Sequence, residues 1–307
     1  MSSQFRCKFP LVILLCIIVA LAAGCPDPLG QYTVAVTKDV VYALGNVSDG
    51  GDPPVYQDKE LLADVYEPVE STAVQKPAVL LVHGGSFTEG SKEKEQIVEY
   101  ANYFASYGYV AFAISYRLRD DYPPAPDYWD TVSLTAAVHA AIVDTKAAVR
   151  FIRANANAYG LDPQKIGLLG ESAGAIAGVT AAVTDPGEYE ADGPEFPVPE
   201  LNYPDVSPRV QAYIHLWGGA DHVLLDMDSQ DPPIMIVHGD EDDEIFTPFS
   251  GAERLNFFCE LLSIPHVFYR AEGYDHGAWD YRYRGDGITR LALDFLNEHL
   301  LGIAGDK

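Results

Sequence analysis

Gly170-Glu171-Ser172-Ala173-Gly174 is the stretch most suited to chemistry. It fits G-x-S-x-G, the nucleophile elbow, in which a serine sits on a sharp turn between a strand and a helix. The flanks supply that context. Lys165 to Leu169 is a short run that reads as a buried strand, opened by the turn Leu161-Asp162-Pro163-Gln164. Ala175 to Val183 is small and helix-compatible, and stops at Asp185-Pro186-Gly187. A turn that holds the nucleophile at positive φ leaves no room for side chains at the two flanking glycines. A serine hydroxyl placed this way needs a base, an orienting acid and donors for a developing oxyanion.

The other residues that could supply those parts lie on both sides of Ser172. His83-Gly84-Gly85-Ser86-Phe87 follows an apolar strand, and its glycines let backbone approach a substrate closely. His83 reads as a loop support held by hydrogen bonds. His215, His222, His238, His266, His276 and His299 follow the serine. Of these, only His276 lies in a glycine-flanked loop between the last strand and the last helix, where a parallel sheet presents functional groups. Asp240, Glu241, Asp242, Asp243 and Glu244 form an acidic run after another strand. Five carboxylates cannot all be buried, so most are solvated or cap a turn. The run lacks the D-x-D-x-D-G pattern of a calcium loop, so no metal and no cofactor is expected.

These parts need a scaffold, and the chain supplies one. Gln31 to Tyr42 alternates as an edge strand, and Asn46 to Asp52 reads as a turn. Lys59 to Tyr66 returns as a second strand. Pro77 to Val82 and Tyr109 to Ser115 are continuous apolar strands, buried on both faces, with a helix over Glu93 to Tyr107 between them. Ala136 to Tyr159 is a long helix closed by Gly160. After the elbow come strands at 210–217, 233–237 and 267–269 and helices at 249–262 and 288–301. Residues 116–132 and 184–208 are irregular excursions rich in proline and acids. Strands alternating with helices predict an α/β domain: a mostly parallel central sheet, helices on both faces and an antiparallel N-terminal edge.

Composition bounds the rest. The chain has 307 residues, 48% of them apolar, enough for one large domain with a sizeable core. With 45 acids against 20 bases the formal charge is −25. That field repels nucleic acid and makes a polyanionic substrate unsuitable. Residues 1–10 carry Arg6 and Lys8 and no acid, and Leu11 to Ala23 is an apolar run too short to span a bilayer. Together they read as a secretory signal peptide over 1–24, leaving 25–307 as the working domain. The ending Leu21-Ala22-Ala23-Gly24-Cys25 resembles a bacterial lipobox. That resemblance implies acylation of Cys25, an exported protein and a lipid anchor in a bacterial membrane. Cys7 and Cys16 would leave with the signal, so Cys259 stands alone and no disulfide framework is expected.

The phrases converge on one resemblance. Leu62-Ala63-Asp64-Val65-Tyr66-Glu67-Pro68, His83 to Phe87, Ala147 to Arg153, Gly170 to Gly174 and Pro232-Pro233-Ile234 resemble the bacterial carboxylesterases of the α/β-hydrolase superfamily. The likeness runs from about Val55 to Gly302. Secreted feruloyl and acetylxylan esterases share these motifs, as do some arylformamidases and peptidases. The resemblance implies the chain order serine, acid, histidine, and hence Ser172 as nucleophile and His276 as base. The segment His238-Gly239-Asp240-Glu241-Asp242 is similar to the superfamily's H-G-x-x-D phrase and selects Asp242 over Asp240 and Asp243. Matching the HGGG-type motif by position implies backbone donors at Gly85 and Ser86, with Gly84 as loop support; the amide of Ala173 completes the oxyanion site. The function expected is hydrolysis of small carboxylic esters. One alternative is a polysaccharide-side-chain esterase, for which Tyr122, Tyr128 and Trp129 could serve as an aromatic platform. Another is a non-catalytic binding lipoprotein on the same fold.

Overall fold

The computed structural model describes residues 30–69, 71–124 and 133–303. The leader, Cys25, Tyr128 and Trp129 lie outside the described residues.

The chain opens with β1 (Val34–Ser48) and β2 (Tyr56–Pro68), an antiparallel pair, followed by β3 (Lys76–Val82), α1 (Glu95–Ser106) and β4 (Val110–Ile114). Next come α2 (Ser133–Ala154), the single turn α3 (Ala156–Tyr159), β5 (Leu161–Glu171) and α4 (Ala173–Val183). β6 (Ala212–Leu216), β7 (Ile234–Gly239), α5 (Phe249–Leu262), β8 (His266–Ala271), a hairpin of β9 (Arg282–Tyr283) and β10 (Asp286–Gly287), and α6 (Ile288–Leu296) complete it. The large sheet has the order β1-β2-β4-β3-β5-β6-β7-β8. β4, β3, β5, β6, β7 and β8 are parallel, and β1 and β2 form the antiparallel edge. This is the α/β architecture the sequence predicts.

The apolar runs explain the order. β3, β4, β6 and β7 are buried along almost their whole length, so they take the centre. β8 is half-buried and takes the far edge. α2, α4 and α5 cover one face, with Ile142, Val179 and Leu255 in that core. α1 and α6 cover the other, with Ile97, Phe104 and Leu296. Burying a side chain such as Leu80 or Phe104 contributes roughly 1.5–3 kcal/mol.

Several boundaries differ from the sequence reading. β1 runs on to Ser48, although Asn46 to Asp52 reads as a turn; Asn46, Val47 and Ser48 pair with Asp58, Gln57 and Tyr56. Tertiary partners overrule the local signal. Asn46 Nδ2 donates to Asp192 Oδ2 at 3.0 Å, and the Leu44 N–H and C=O both bond the Asn202 side chain at 2.8 Å. The long helix begins at Ser133 and ends at Ala154, and α3 then carries the chain to Gly160 at φ 64°. The β9–β10 hairpin has no counterpart in the sequence reading. Its turn, Arg284-Gly285, has positive φ at both positions, as a tight hairpin requires.

The excursion at 184–208 is fastened to the body. Arg117, buried after β4, binds Asp144 of α2 through Nε and Nη2 and Asp192 of the excursion through Nη1 at 2.7 Å. A buried guanidinium is tolerable only with such charged partners. Lys146 Nζ donates to the carbonyls of Asp185 and Glu188, both at 2.7 Å. Its burial pushes its pKa down to about 8. Further along, Arg153 Nη1 donates to the Ser207 carbonyl.

Candidate active site

The elbow takes the form the small residues dictate. β5 ends at Glu171, α4 starts at Ala173, and Ser172 between them has φ 54° and ψ −119°. A Cβ at Gly174 would stand 2.2 Å from the Val82 carbonyl oxygen, and one at Gly170 would stand 2.2 Å from that of Gly174. Neither position admits a larger residue without moving the turn. The Ser172 N–H donates to the Leu216 carbonyl at 2.9 Å, fixing the turn to β6.

The loops after β5, β7 and β8 bring three side chains into one line. His276 Nε2 lies 2.9 Å from Ser172 Oγ, and His276 Nδ1 lies 2.8 Å from Asp242 Oδ2. With Nδ1–H donated to the carboxylate, Nε2 presents its lone pair to the serine hydroxyl. Asp242 is buried, which by itself raises a carboxyl pKa. Hydrogen bonds from His238 Nε2 at 2.9 Å, from His276 and from the Glu244 N–H at 3.1 Å outweigh that burial and hold the group below its ordinary value. The carboxylate therefore stays ionised at neutral pH and favours a proton on the ring nitrogen facing it.

The neighbouring acids have other partners. Asp243 is exposed. Asp240 pairs with Arg270 at 3.0 Å and accepts from the Gly273 N–H at 2.7 Å, so it ties the acid loop to the histidine loop. Those loops also meet through the Glu241 N–H and the Tyr274 carbonyl, 2.9 Å apart. A Cβ at Gly239 would collide with the carbonyls of Tyr274 and Asp275 at 2.3 and 2.5 Å, which is why the strand must end on glycine there.

The loop after β3 is placed beside the serine. Ser86, Phe87 and Ala173 line the same cleft as Ser172 and His276. Ala173 opens α4, so its N–H is one of those a helix leaves without an intrahelical acceptor. Gly85 lies behind Ser86 at φ 122°, and its carbonyl accepts from the Thr88 and Glu89 amides. Gly84 is spent as a support, its N–H donating to Glu171 Oε1. His83 is fully buried and stacks on Tyr116 at 4.3 Å between ring centres. Its Nδ1 lies 2.7 Å from the Gly84 carbonyl, and burial pushes its pKa down to about 4.

Several contributions escape the sequence reading. Glu171, read there only as the variable position of the elbow, is buried beneath the glycine loop. It binds Lys94 and the Gly84 N–H, and Trp217 Nε1 stands 3.4 Å away. Trp217 packs edge-on against Trp279, three residues past His276, at 4.6 Å. One carboxylate thus joins the elbow, the glycine loop and the packing under the histidine loop. His238, weighed as a base and as the first residue of the H-G-x-x-D phrase but given no role beside the acid, shares Asp242 Oδ2 with His276 and also bonds the Thr247 carbonyl at 2.9 Å. Its place four residues before Asp242 was the available signal.

The cleft over Ser172 has a volume of about 570 Å³. Phe87, Leu134, Val138, Ile176 and Phe246 make its walls mostly apolar, while His222 and Glu244 also reach it. Among the described residues, no group of three His, Cys, Asp or Glu side chains is disposed to hold a metal ion.

Residues 63–227, just over half of the chain, match the model of the BD-FAE family. The chain belongs to the BD-FAE family. Curated relatives match over shorter stretches. The probable carboxylic ester hydrolase LipM of Mycobacterium tuberculosis is 28% identical over 149 residues, which cover 48% of this chain and 29% of that protein. Esterase LipC of the same organism is 32% identical over 150 residues, covering 47% and 31%. The aligned stretches thus span less than a third of either relative. Solved structures share the fold along nearly the whole chain. Thermogutta terrifontis esterase 2, phosphonylated by sarin, superimposes with a TM-score of 0.62 at 24% identity, covering 92% of this chain and 99% of that one. The same esterase with propionate bound gives 0.60 at 23% identity, covering 90% and 97%. A truncated carbohydrate esterase from gut microbiota gives 0.61 at 21% identity, covering 90% and 99%. This BD-FAE protein therefore has the α/β-hydrolase fold.

Proposed function

We propose that this BD-FAE protein is a serine carboxylesterase that hydrolyses small carboxylic esters through an acyl-enzyme intermediate. The observation that carries the reading is the hydrogen-bonded line Ser172–His276–Asp242 at the floor of an apolar cleft. In the first half-reaction Ser172 Oγ attacks the ester carbonyl and His276 Nε2 takes its proton. The tetrahedral oxyanion forms against the backbone N–H groups of Gly85, Ser86 and Ala173. His276 then gives its proton to the departing alkoxide, and an acyl-serine remains. Water, activated by the same nitrogen, releases the acid and restores the serine. Asp242 holds the imidazole in the required tautomer and stabilises the imidazolium. No step calls for a cofactor.

Acyl preference follows from the walls. A lipase-type lid needs an apolar, amphipathic segment free to move at an oil interface. The 184–208 excursion is acidic, broken by prolines and fastened by Arg117, Lys146 and Arg153. We therefore expect soluble short-acyl esters to be hydrolysed faster than long-chain triglycerides, with no jump in rate when an emulsion forms. A chain-length series, followed through each substrate's solubility limit, checks this. A rise in rate at emulsification would require a true lid.

The leader and Cys25 support export and anchoring. The mature native protein is expected to begin at an acylated Cys25, because several acyl chains together hold a protein stably on a membrane where one binds only marginally. Mass spectrometry of the N-terminal peptide reads this directly, and an unmodified Cys25 in the membrane-associated protein would refute it.

A further inference from the structure

The cleft has a polar end that the hydrolytic mechanism does not use. α4 runs from the elbow along the cleft, with Ile176 in its wall. Thr180, eight residues beyond Ser172, stands about 12 Å further along the helix. There Thr180 Oγ1 lies 2.7 Å from His222 Nε2, and His222 also lines the cleft. Between the serine and this histidine the walls are apolar: Leu134 and Val138 from α2, Ile176 from α4 and Phe246 from the acid loop.

Counting protons fixes the ring. The Thr180 hydroxyl has one hydrogen, and it is donated to the Ile176 carbonyl at 2.8 Å. Thr180 Oγ1 can therefore only accept from His222, so the imidazole proton sits on Nε2. His222 is exposed at the mouth of the cleft, yet partial desolvation by its neighbours still lowers the ring's pKa, with Asp221 and Asp226 acting in the opposite sense, so the ring is neutral at pH 7. Nδ1 then carries a lone pair. Among the described residues it has no protein donor.

We propose that His222 is a specificity-determining residue, its Nδ1 accepting a hydrogen bond from a hydroxyl group that the substrate carries at the end remote from the ester. This rests on the esterase reading and narrows it: the apolar walls take the spacer, and the distal nitrogen takes the hydroxyl. An ether or alkyl end offers that nitrogen no hydrogen.

The test uses matched sets of three: an ester ending in a hydroxyl, its methyl ether and the unsubstituted alkyl analogue, with spacers reaching roughly 8–12 Å along the helix. One series places the group on the acyl side of methyl esters and the other on the alcohol side of acetates, since either arm of a substrate can lie along α4. In one series the hydroxyl compound is expected to lead both analogues by roughly 3- to 10-fold in kcat/KM, the worth of one neutral hydrogen bond. His222→Phe should bring the three together, and His222→Gln, which restores an acceptor, should recover part of the lead. No lead in the wild type, or an undiminished lead in His222→Phe, overturns the inference. A hydroxyl and an ether that are equal, both ahead of the alkyl compound, overturn the acceptor assignment by placing the proton on Nδ1. If no ester is turned over, the esterase reading has failed. Saturation-transfer NMR of the same compounds with Ser172→Ala then reads the binding order, and equal binding of all three overturns the inference independently.

Discussion

Ser172→Ala is expected to fold normally and to lose nearly all ester hydrolysis. The substitution removes one oxygen from a half-buried turn, and its N–H still donates to Leu216. It also relieves nothing that holds the sheet together. What it removes is the oxygen 2.9 Å from His276 Nε2, the atom deprotonated in the proposed mechanism. The Gly85, Ser86 and Ala173 amides would remain, and a site of that kind without its nucleophile retains roughly 10³–10⁴-fold over water, far below the intact enzyme. A fluorophosphonate probe should label the wild type at Ser172 and leave the variant unlabelled, while the two proteins share one thermal transition. Undiminished hydrolysis by the alanine variant would remove Ser172 from the mechanism.

Asp242→Asn is expected to cost about 10⁴-fold in kcat, with Asp240→Asn and Asp243→Asn costing little. The hydrogen bonds give the reason. Asp242 accepts from the Glu244 N–H on one oxygen and from His238 and His276 on the other. An asparagine whose carbonyl oxygen keeps the Glu244 contact must turn its NH₂ toward the histidines. That NH₂ is then satisfied by a lone pair on His276 Nδ1, which moves the imidazole proton to Nε2. A protonated Nε2 cannot take the proton from Ser172. The opposite amide orientation places its NH₂ against the Glu244 N–H and forfeits the charge that stabilises the imidazolium. Asp240 and Asp243 touch neither ring, one holding Arg270 and the Gly273 amide and the other lying in solvent. A pre-steady-state measurement of acylation separates this loss from any change in binding. A large loss at Asp243 instead would place the acid one residue further along.

Much of this protein is legible in its sequence because local sterics and chain order decide it. Gly170, Ser172 and Gly174 announce a turn that almost no other residues could make, since any Cβ at the glycines meets backbone within 2.2 Å. Continuous apolar runs at β3, β4, β6 and β7 mark central parallel strands, because only strands covered on both faces can lack polar alternation. His276 stands out because a glycine-flanked loop beyond the last long strand is where such a sheet presents side chains.

Other features are decided only by residues far apart in the chain. Resemblance to the H-G-x-x-D phrase points to Asp242, but no local physical property separates five neighbouring carboxylates; the fold supplies the reason by burying that one between two imidazoles and leaving Asp243 in water. Glu171 gains its place because Lys94, Gly84 and Trp217 converge on it from three other segments. β1 outruns its turn signal because Asn202, more than 150 residues away, takes both backbone groups of Leu44. The proton of His222 is placed by a threonine 42 residues earlier. Propensity and periodicity act over a few residues, so they determine elements and motifs; hydrogen-bond partners and desolvation act across the folded volume, and these determine which charge is buried, which tautomer is held and what the far end of the cleft can recognise.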